Sequence, residues 1–261
     1  MMPKSPTAYH RPDTLDSALQ LLNQPDTFAL GGGTKLLAHD VPGAVVDLQK
    51  LALNQITWNG DTLSIGAALT LTELADALAA QATADSPAPL LQQAIQQAGP
   101  NTYRNAATVG GSIASRLPDS ELLAVLLVLD ATLTLYTPQQ QTLPLADYLA
   151  AAERPFGLIT GITLSWHTGQ GKSERVARTP ADYPIVSVTL WQPQQGNAAL
   201  AATGIAQRPL RLHAAETHLH QGHIEQAAAA AQTAVTHPGD FRGDTAYRTE
   251  MVAVLVKRVC K

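Results

Sequence analysis

The segment FALGGGTKLLA, residues 28–38, places three consecutive glycines between an apolar run and an apolar, helix-like start. Glycine lacks a Cβ, so its backbone can approach a ligand closely, and successive N–H groups form a concave anion site. Thr34 adds a hydroxyl, and a helix after the turn would add its dipole. This pattern favours a diphosphate-binding turn. The alternative is a tight turn whose glycines serve only chain reversal.

A second glycine turn, TVGGSIA, spans residues 108–114. Gly110 and Gly111 lie between an apolar stretch and SRLPDSELL, and the pattern matches neither a P-loop nor the spaced glycines of a dinucleotide fingerprint. Glu121 can accept a hydrogen bond from a ribose or ribityl hydroxyl if the loop folds back; a plain carboxylate in a first helical turn is the alternative. Two such turns, far apart in sequence, suggest one ligand held between two subdomains.

Composition excludes several classes of function. The formal net charge is −4 and no basic face stands out, which argues against nucleic acid. No apolar run approaches the roughly 20 residues of a membrane helix, and MMPKSPTAYHRPD lacks the apolar core of a secretory signal, so we expect a cytoplasmic address and no membrane partner. Cys260 is the only cysteine, whereas an iron–sulfur cluster needs about four thiolates. Electron transfer by this chain therefore needs an organic cofactor.

The hydrophobic pattern mixes helices and strands. We predict a first helix in PDTLDSALQLL with Asp13 as its cap, followed by the strands TFAL and AVVDLQ. TLSIGA alternates and points Leu63 and Ile65 to one face, as expected of a half-buried strand. We also predict a helix in DSELLAVLLVLDA capped by Asp119, strands in LITGITLSW and PIVSVTLWQ, and a helical last third in which Asp244 caps the final helix.

Motifs spread over nearly the whole length carry a family resemblance. In order they are YHRPDTLDSALQLL, LGGGTKLLA, VVDLQKL, LSIGAALTLTEL, YRNAATVGGSIA, LLAVLLVLDATL, RPLRLHAAE and DFRGDTAYRTEMVAVLVKR. In these motifs the chain resembles the flavin-binding medium subunits of molybdenum hydroxylases, such as those of carbon monoxide dehydrogenase and xanthine dehydrogenase. The order and spacing of the motifs are more specific than either glycine turn alone.

The resemblance implies an α+β fold in two parts. Residues 1–155 would form a PCMH-type, vanillyl-alcohol-oxidase-like FAD-binding domain with subdomains at about 1–57 and 58–155. Residues 156–261 would form a smaller C-terminal domain of antiparallel sheet plus helices. The implied cofactor is FAD, with its diphosphate held by the two glycine turns.

The resemblance also implies the residues that contact FAD. They are Leu30, Gly31, Gly32, Gly33, Thr34, Lys35, Leu36, Arg104, Thr108, Val109, Gly110, Gly111, Ser112, Glu121, Leu158, Ile159, Arg175 and Tyr183. For Arg104 the residues leave two alternatives, a phosphate or a neighbouring loop carbonyl. Ser112 and Glu121 stand where the family commonly has asparagine and aspartate, which alters the expected hydrogen bonds.

By resemblance, this chain is one station of an electron-transfer chain. A molybdopterin-binding large subunit would oxidise the substrate, and [2Fe–2S] clusters of a small subunit would pass electrons to FAD and on to NAD⁺ or another acceptor. We therefore expect no catalytic acid–base pair and no metal site in this chain. The alternative is a flavin-free, non-catalytic assembly or scaffold protein of the same fold.

Overall fold

The computed structural model describes residues 5–137 and 139–261. The N-terminal layer is a parallel sheet of order β1–β3–β2, built from β1 (Ala8–His10), β2 (Thr27–Leu30) and β3 (Ala44–Asp47). Helix α1 (Leu15–Leu22) joins β1 to β2. Ala18 of this helix and Val46 of β3 are fully buried in one cluster, so the strands predicted in TFAL and AVVDLQ are confirmed.

The second layer is an antiparallel sheet of five strands in the order β4–β5–β8–β6–β7. Leu63 and Ile65 are buried on one face, as the alternation predicts. Six helices pack with this sheet or link its strands. The elements are β4 (Ile56–Asn59), β5 (Thr62–Gly66), α2 (Leu71–Ala79), α3 (Ala88–Gln97), α4 (Asn101–Arg104), α5 (Val109–Ser115), α6 (Glu121–Val128), β6 (Thr132–Tyr136), β7 (Gln140–Pro144), α7 (Leu145–Ala150) and β8 (Leu158–Ser165).

The last third is an antiparallel sheet covered by helices, which confirms the α+β fold class and its C-terminal sheet-plus-helix part. The strands lie in the order β12–β11–β10–β9, and α10 packs on β9 and β10. The elements are β9 (Gly169–Val176), β10 (Val186–Pro193), β11 (Ala199–Thr203), β12 (Leu210–Arg211), α8 (His213–His220), α9 (Ile224–Thr233) and α10 (Thr245–Val259).

Strand β8 bears on the predicted domain division. It begins after residue 155, yet it pairs with β5 on one side and with β6 on the other, at the centre of the five-stranded sheet. The division at 155/156 and the subdomain limits stay predictions. A division after Ser165 would leave this sheet intact.

Two predicted helix caps are wrong, each by one residue. Thr14, not Asp13, caps α1, because its hydroxyl accepts from the N–H of Ser17. Ser120, not Asp119, caps α6 by accepting from Leu123. The carboxylates bind cations instead: Asp13 pairs with Lys50, and Asp119 pairs with Arg242. The predicted Asp244 cap is confirmed, with a 2.7 Å bond from the N–H of Tyr247.

Helix α6 is buried along its whole length and contacts α3, β10 and β11. A helix that is apolar on all faces needs cover on all sides, and here the second layer and the C-terminal sheet supply it. Within the two described ranges, no helix is long and apolar enough to cross a membrane.

The corrected cap of α1 gives a test at two adjacent positions. Thr14→Ala removes the hydroxyl that accepts from Ser17, so we expect the free energy of unfolding to fall by about 1 kcal/mol. Asp13→Ala removes only an exposed ion pair with Lys50 and should lower the free energy of unfolding by less than about 0.5 kcal/mol. Urea unfolding of both variants measures the difference. Equal losses, or a larger loss for Asp13→Ala, would restore Asp13 as the cap.

Candidate functional site

A cleft of about 620 Å³ opens between the two layers. Residues 31–36 form one wall, the start of α5 forms the floor beside it, and residues 154–159 at the start of β8 form another wall. Its volume lies within the range of clefts that hold cofactors and other small molecules. Twelve of the predicted residues line it: Gly31, Gly32, Gly33, Thr34, Lys35, Leu36, Thr108, Gly110, Gly111, Ser112, Leu158 and Ile159.

The three glycines are explained first by the chain itself. A Cβ on Gly32 would lie 1.5 Å from the carbonyl oxygen of Ala106, and one on Gly31 would lie 2.8 Å from Oγ1 of Thr108. Gly33 has φ +72°, a backbone conformation that other residues rarely adopt. The first turn is thus pressed against the segment that leads into α5, which brings the two glycine turns into contact.

The N–H groups of the first turn stay available despite this packing. Among the described residues, no hydrogen bond uses an N–H of Gly31, Gly32, Gly33, Thr34 or Lys35 as its donor. One hydrogen bond closes the turn: the carbonyl oxygen of Gly33 accepts from the N–H of Leu37 at 2.9 Å. The helix expected after the turn is wrong: only a single 3₁₀ turn, Leu36–Ala38, follows it. The turn therefore offers free N–H groups to an anion but no helix dipole.

The second turn is built differently, because its N–H groups are bonded within the chain. Thr108 caps α5 by accepting from Gly111 at 3.1 Å, while the N–H groups of Val109 and Gly110 donate to the carbonyls of Leu69 and Ala67. Gly110 has to be glycine because a Cβ would lie 2.7 Å from that of Ala67. A Cβ on Gly111 would lie 2.9 Å from the Thr108 hydroxyl, which would have to shift, but would meet no other atom within 4 Å, and this glycine lines the cleft.

Glu121 sits beside the cleft with one carboxylate oxygen unused. Its Oε2 accepts from Nη1 of Arg175 at 3.1 Å, but its buried Oε1 has no partner in the described chain. A small cavity of about 30 Å³ adjoins this carboxylate, and its lining shares Tyr103, Ser112 and Ser115 with the cleft. Burial raises the pKa of Glu121 to about 7, against the opposing effect of Arg175.

Lys35 joins the cleft to this small cavity. Its ammonium lies 5.4 Å from the ring centroid of Tyr103 and 5.7 Å from that of Tyr183, within the range of cation–π attraction. Tyr183 also lines the small cavity with Glu121. The structure thus brings the predicted residues Lys35, Glu121, Arg175 and Tyr183 to one end of the site.

Six predicted residues lie outside the cleft lining: Glu121, Tyr183 and Arg175 lie at or beside the small cavity, and Leu30, Arg104 and Val109 lie elsewhere. Arg104 donates to the carbonyls of Gln96 and Gly99, which is the carbonyl alternative that the sequence left open. Val109 is 1% exposed and packs in the core. Leu30 ends β2, where its carbonyl accepts from Leu48. Arg104 and the Leu30 carbonyl already have hydrogen-bond partners and Val109 packs in the core, so none of the three lines the cleft.

The cleft also has walls that sequence reasoning missed. Phe28, Ala68, Tyr148, Arg154 and Phe156 all line it. Tyr148 is 1% exposed and follows an apolar helix pattern, so its sequence context is typical of core. Only the closure of β8 against β6 brings residues 154–157 to the cleft, and no local motif signals that pairing.

Two consecutive parts of the chain match known families. Residues 5–164 match the family described as FAD binding domain in molybdopterin dehydrogenase, and residues 175–261 match the CO dehydrogenase flavoprotein C-terminal domain. The uncharacterized protein YgfM of Escherichia coli (strain K12) is 32% identical, over 95% of this chain and 93% of that protein. The carbon monoxide dehydrogenase medium chain of Hydrogenophaga pseudoflava is 28% identical, over 96% and 94%.

A solved structure agrees with these matches. A chain of the reconstituted CO dehydrogenase from Oligotropha carboxidovorans superimposes with a TM-score of 0.88 at 26% identity, covering 99% of this chain and 97% of that one. The fold and the cleft define a flavoprotein of the molybdopterin dehydrogenase class. The chain belongs to the family of FAD-binding medium subunits of molybdenum hydroxylases. Its cofactor is FAD, it is an oxidoreductase subunit other than the molybdenum subunit, and the flavin-free alternative is not supported.

The two glycine turns give a paired test of packing against binding. In Gly32→Ala the new Cβ meets the Ala106 carbonyl, so we expect a loss of about 2 kcal/mol in the free energy of unfolding. In Gly111→Ala the new Cβ faces the cleft within α5, so stability should change by less than about 1 kcal/mol while FAD affinity falls about tenfold. Thermal unfolding and flavin fluorescence titration measure the two effects. The same stability loss in both variants would contradict this division of roles.

Glu121 predicts a pH dependence of stability. A carboxyl whose pKa is raised by folding binds its proton more tightly in the folded state. Its protonated form therefore stabilises the fold fully below the unfolded pKa, and this stabilisation is lost as the pH rises to about 7. Without FAD, the free energy of unfolding of Glu121→Gln relative to the native chain should therefore rise by up to about 3 kcal/mol from pH 4.5 to pH 7.5. Urea unfolding across this range, with exposed Glu153→Gln as control, checks it. A flat difference would mean that folding does not raise the pKa of Glu121.

Proposed function

We propose that this chain is the FAD station of a molybdenum-containing complex. In this proposal a molybdopterin-binding large subunit oxidises the substrate, [2Fe–2S] clusters on a small subunit carry the electrons here, and NAD⁺ or another acceptor receives them. The medium-chain relatives support the place of this chain in such a complex. Cys260 is the only cysteine, so the clusters must belong to another chain. The cytoplasmic address stays a prediction.

The observation that carries the proposal is the row of unused N–H groups from Gly31 to Lys35 along one wall of the cleft. Consecutive N–H groups without internal acceptors are suited to the oxygens of a diphosphate. Thr34 and Lys35 add a hydroxyl and a positive charge in the same turn. We assign the FAD diphosphate to this turn, with Gly111 and Ser112 of the second turn as the opposite surface.

Two further features of the site suit the flavin part of the cofactor. Leu158 and Ile159, 5% and 8% exposed, give apolar surface for the isoalloxazine. The orphaned Oε1 of Glu121 fits a hydroxyl or N–H donor on the cofactor, because a buried acceptor without a partner is costly. Arg175 holds that carboxylate from β9, and Tyr183 closes the same end beside Lys35.

Bound flavin supplies redox chemistry that accepts and releases electrons singly or in pairs. The residues of this chain bind and orient it: the first turn holds the anionic part, the start of β8 excludes water from the ring, and Glu121 fixes a polar edge. No nucleophile–base pair is required of this chain, and we assign no catalytic residue.

Binding of FAD by the purified chain tests the assignment. Purified chain incubated with FAD should show bound-flavin absorbance near about 450 nm and quenched flavin fluorescence. Lys35→Met should weaken FAD binding by about tenfold, since it removes a charge beside the diphosphate. Lys50→Met, which changes only an exposed pair with Asp13, is the matched control. A chain that stays colourless with excess FAD and leaves the fluorescence unchanged would overturn the proposal.

The electron path needs a second measurement. The FAD-loaded chain should catalyse slow electron transfer from NADH to a dye but should hydroxylate no substrate. Co-purification should recover a molybdenum-containing large chain and a cysteine-rich small chain. If NADH does not reduce the bound flavin, NAD⁺ is excluded as the acceptor. Reoxidation of chemically reduced flavin by a quinone or by dioxygen then tests the other acceptors.

A further inference from the structure

Two orphaned hydrogen-bond acceptors belong to the small cavity beside the cleft. Oε1 of Gln97, at the end of α3, and Oε1 of Glu121, at the start of α6, are both buried and have no partner among the described residues. Both residues line the cavity of about 30 Å³. An unpaired buried acceptor is costly, so two of them at one cavity require a shared hydrogen-bond donor.

The lining itself does not supply this donor. Ser112 donates its hydroxyl hydrogen to the carbonyl of Thr108 at 2.9 Å, and Ser115 donates its own to the carbonyl of Ser112 at 2.7 Å. A hydroxyl has only one hydrogen, so these two oxygens can only accept from the cavity. No group in the described part of the chain donates to either orphaned oxygen. The donor must therefore be a bound molecule or a proton on Glu121.

The size of the cavity limits the bound molecule to water or an ion of similar size. The volume of about 30 Å³ exceeds the roughly 10–15 Å³ that one buried water molecule needs, and it is far too small for a nucleotide or a flavin ring. A buried water also needs about two to four polar partners. The two orphaned oxygens and the hydroxyl oxygens of Ser112 and Ser115 are partners of this kind.

The charges around the cavity favour a neutral molecule over a cation. Nη1 of Arg175, on β9, lies 3.1 Å from Oε2 of Glu121, and Asp119, just before α6, is paired with Arg242 at 2.9 Å. Both carboxylates of the lining thus already have a cation, and Lys35 adds positive charge at the same end. The other titratable side chains of the lining are the phenols of Tyr103 and Tyr183.

We propose that the small cavity binds one water molecule and one exchangeable proton between Oε1 of Glu121 and Oε1 of Gln97. Protonated Glu121 donates to the water oxygen, and the water donates to Gln97. After the proton leaves, the same water donates to both oxygens, so each orphaned atom has a partner in either state. The inference concerns the chain without FAD and does not rest on the proposed function, in which a donor on the cofactor would replace this water.

The proton lies next to the ligand space of the cleft. Burial raises the pKa of Glu121 to about 7, with Arg175 opposing the effect and Asp119 adding to it, so this carboxyl exchanges its proton near neutral pH. The cavity and the cleft share three lining residues, Tyr103, Ser112 and Ser115. Gln97 is thus a positioning residue, because it holds the water through which Glu121 keeps its proton.

A crystal structure of the full FAD-free chain tests the water site. We expect one ordered water molecule within about 2.7–3.2 Å of both orphaned oxygens, and no such water in Gln97→Leu. An empty cavity in the native chain overturns the proposal. An amide of Gln97 that donates directly to Glu121, or a metal ion in the place of the water, also overturns it.

The melting temperature separates a water-filled cavity from a dry one. Gln97→Leu removes a partner of the water, so at about pH 6 we expect the melting temperature to fall by about 2–4 °C. Gln96→Leu, at the exposed neighbouring position of α3, should leave it within about 1 °C. In a dry cavity Gln97→Leu would only remove an unpaired acceptor, so an unchanged or higher melting temperature contradicts the proposal.

Carboxyl ¹³C NMR of the glutamate-labelled, FAD-free chain follows the proton, with Glu121→Gln identifying the signal. Gln97→Glu places a second carboxylate across the water, and we expect this pair to take up its first proton at a pH above the native pKa of Glu121. Gln96→Glu adds the same charge on the exposed face of α3 and should change the pKa little. Equal effects of the two variants overturn the proposal. FAD is absent from all three measurements, so this failure differs from that of the proposed function.

Discussion

The structure depends on a main-chain contact too close for any Cβ. The carbonyl of Ala106 stands where a side chain on Gly32 would begin, and Thr108 stands where one on Gly31 would begin. This contact joins the end of β2 in the parallel layer to the start of α5 in the second layer, at the base of the cleft. A side chain at Gly32 would collide with backbone and push the layers apart, whereas one at Gly31 would require the Thr108 hydroxyl to shift.

The same contact decides which amides a ligand can reach. The second turn is held by bonds to Ala67, Leu69 and its own Thr108 cap, so its N–H groups stabilise the fold. The first turn is held by packing and by a carbonyl, so its N–H groups have no acceptor among the described residues and are open to the diphosphate that we assign there. The two glycine turns therefore differ in structure: the N–H groups of the second turn are bonded within the chain, whereas those of the first turn have no acceptor among the described residues.

The limits of sequence reasoning follow from this. The alternation at Leu63 and Ile65 and the cap at Asp244 are local patterns, and the structure follows them. The caps at Asp13 and Asp119 failed because a neighbouring hydroxyl competes for the same N–H and a distant cation takes the carboxylate. The family motifs pointed to the first turn and the start of β8 as parts of the ligand site, and both segments line the cleft. Tyr148 and Arg154 could not be predicted, because their place at the cleft depends on strand pairing over long separations.

The electrostatics of the site depend on the C-terminal sheet through α6. Because this helix is apolar on every side, the folded chain buries it between α3 and strands β10 and β11, and that burial takes its first residue, Glu121, out of water. A carboxylate in that position needs a cation, and the one supplied is Arg175 from β9. The second oxygen has no partner among the described residues. In the assignment proposed above, the C-terminal sheet contributes to the flavin site by pairing Arg175 with Glu121, a residue that the N-terminal part positions. Loss of this contact from β9 should then affect the flavin end of the site before it affects the glycine turns.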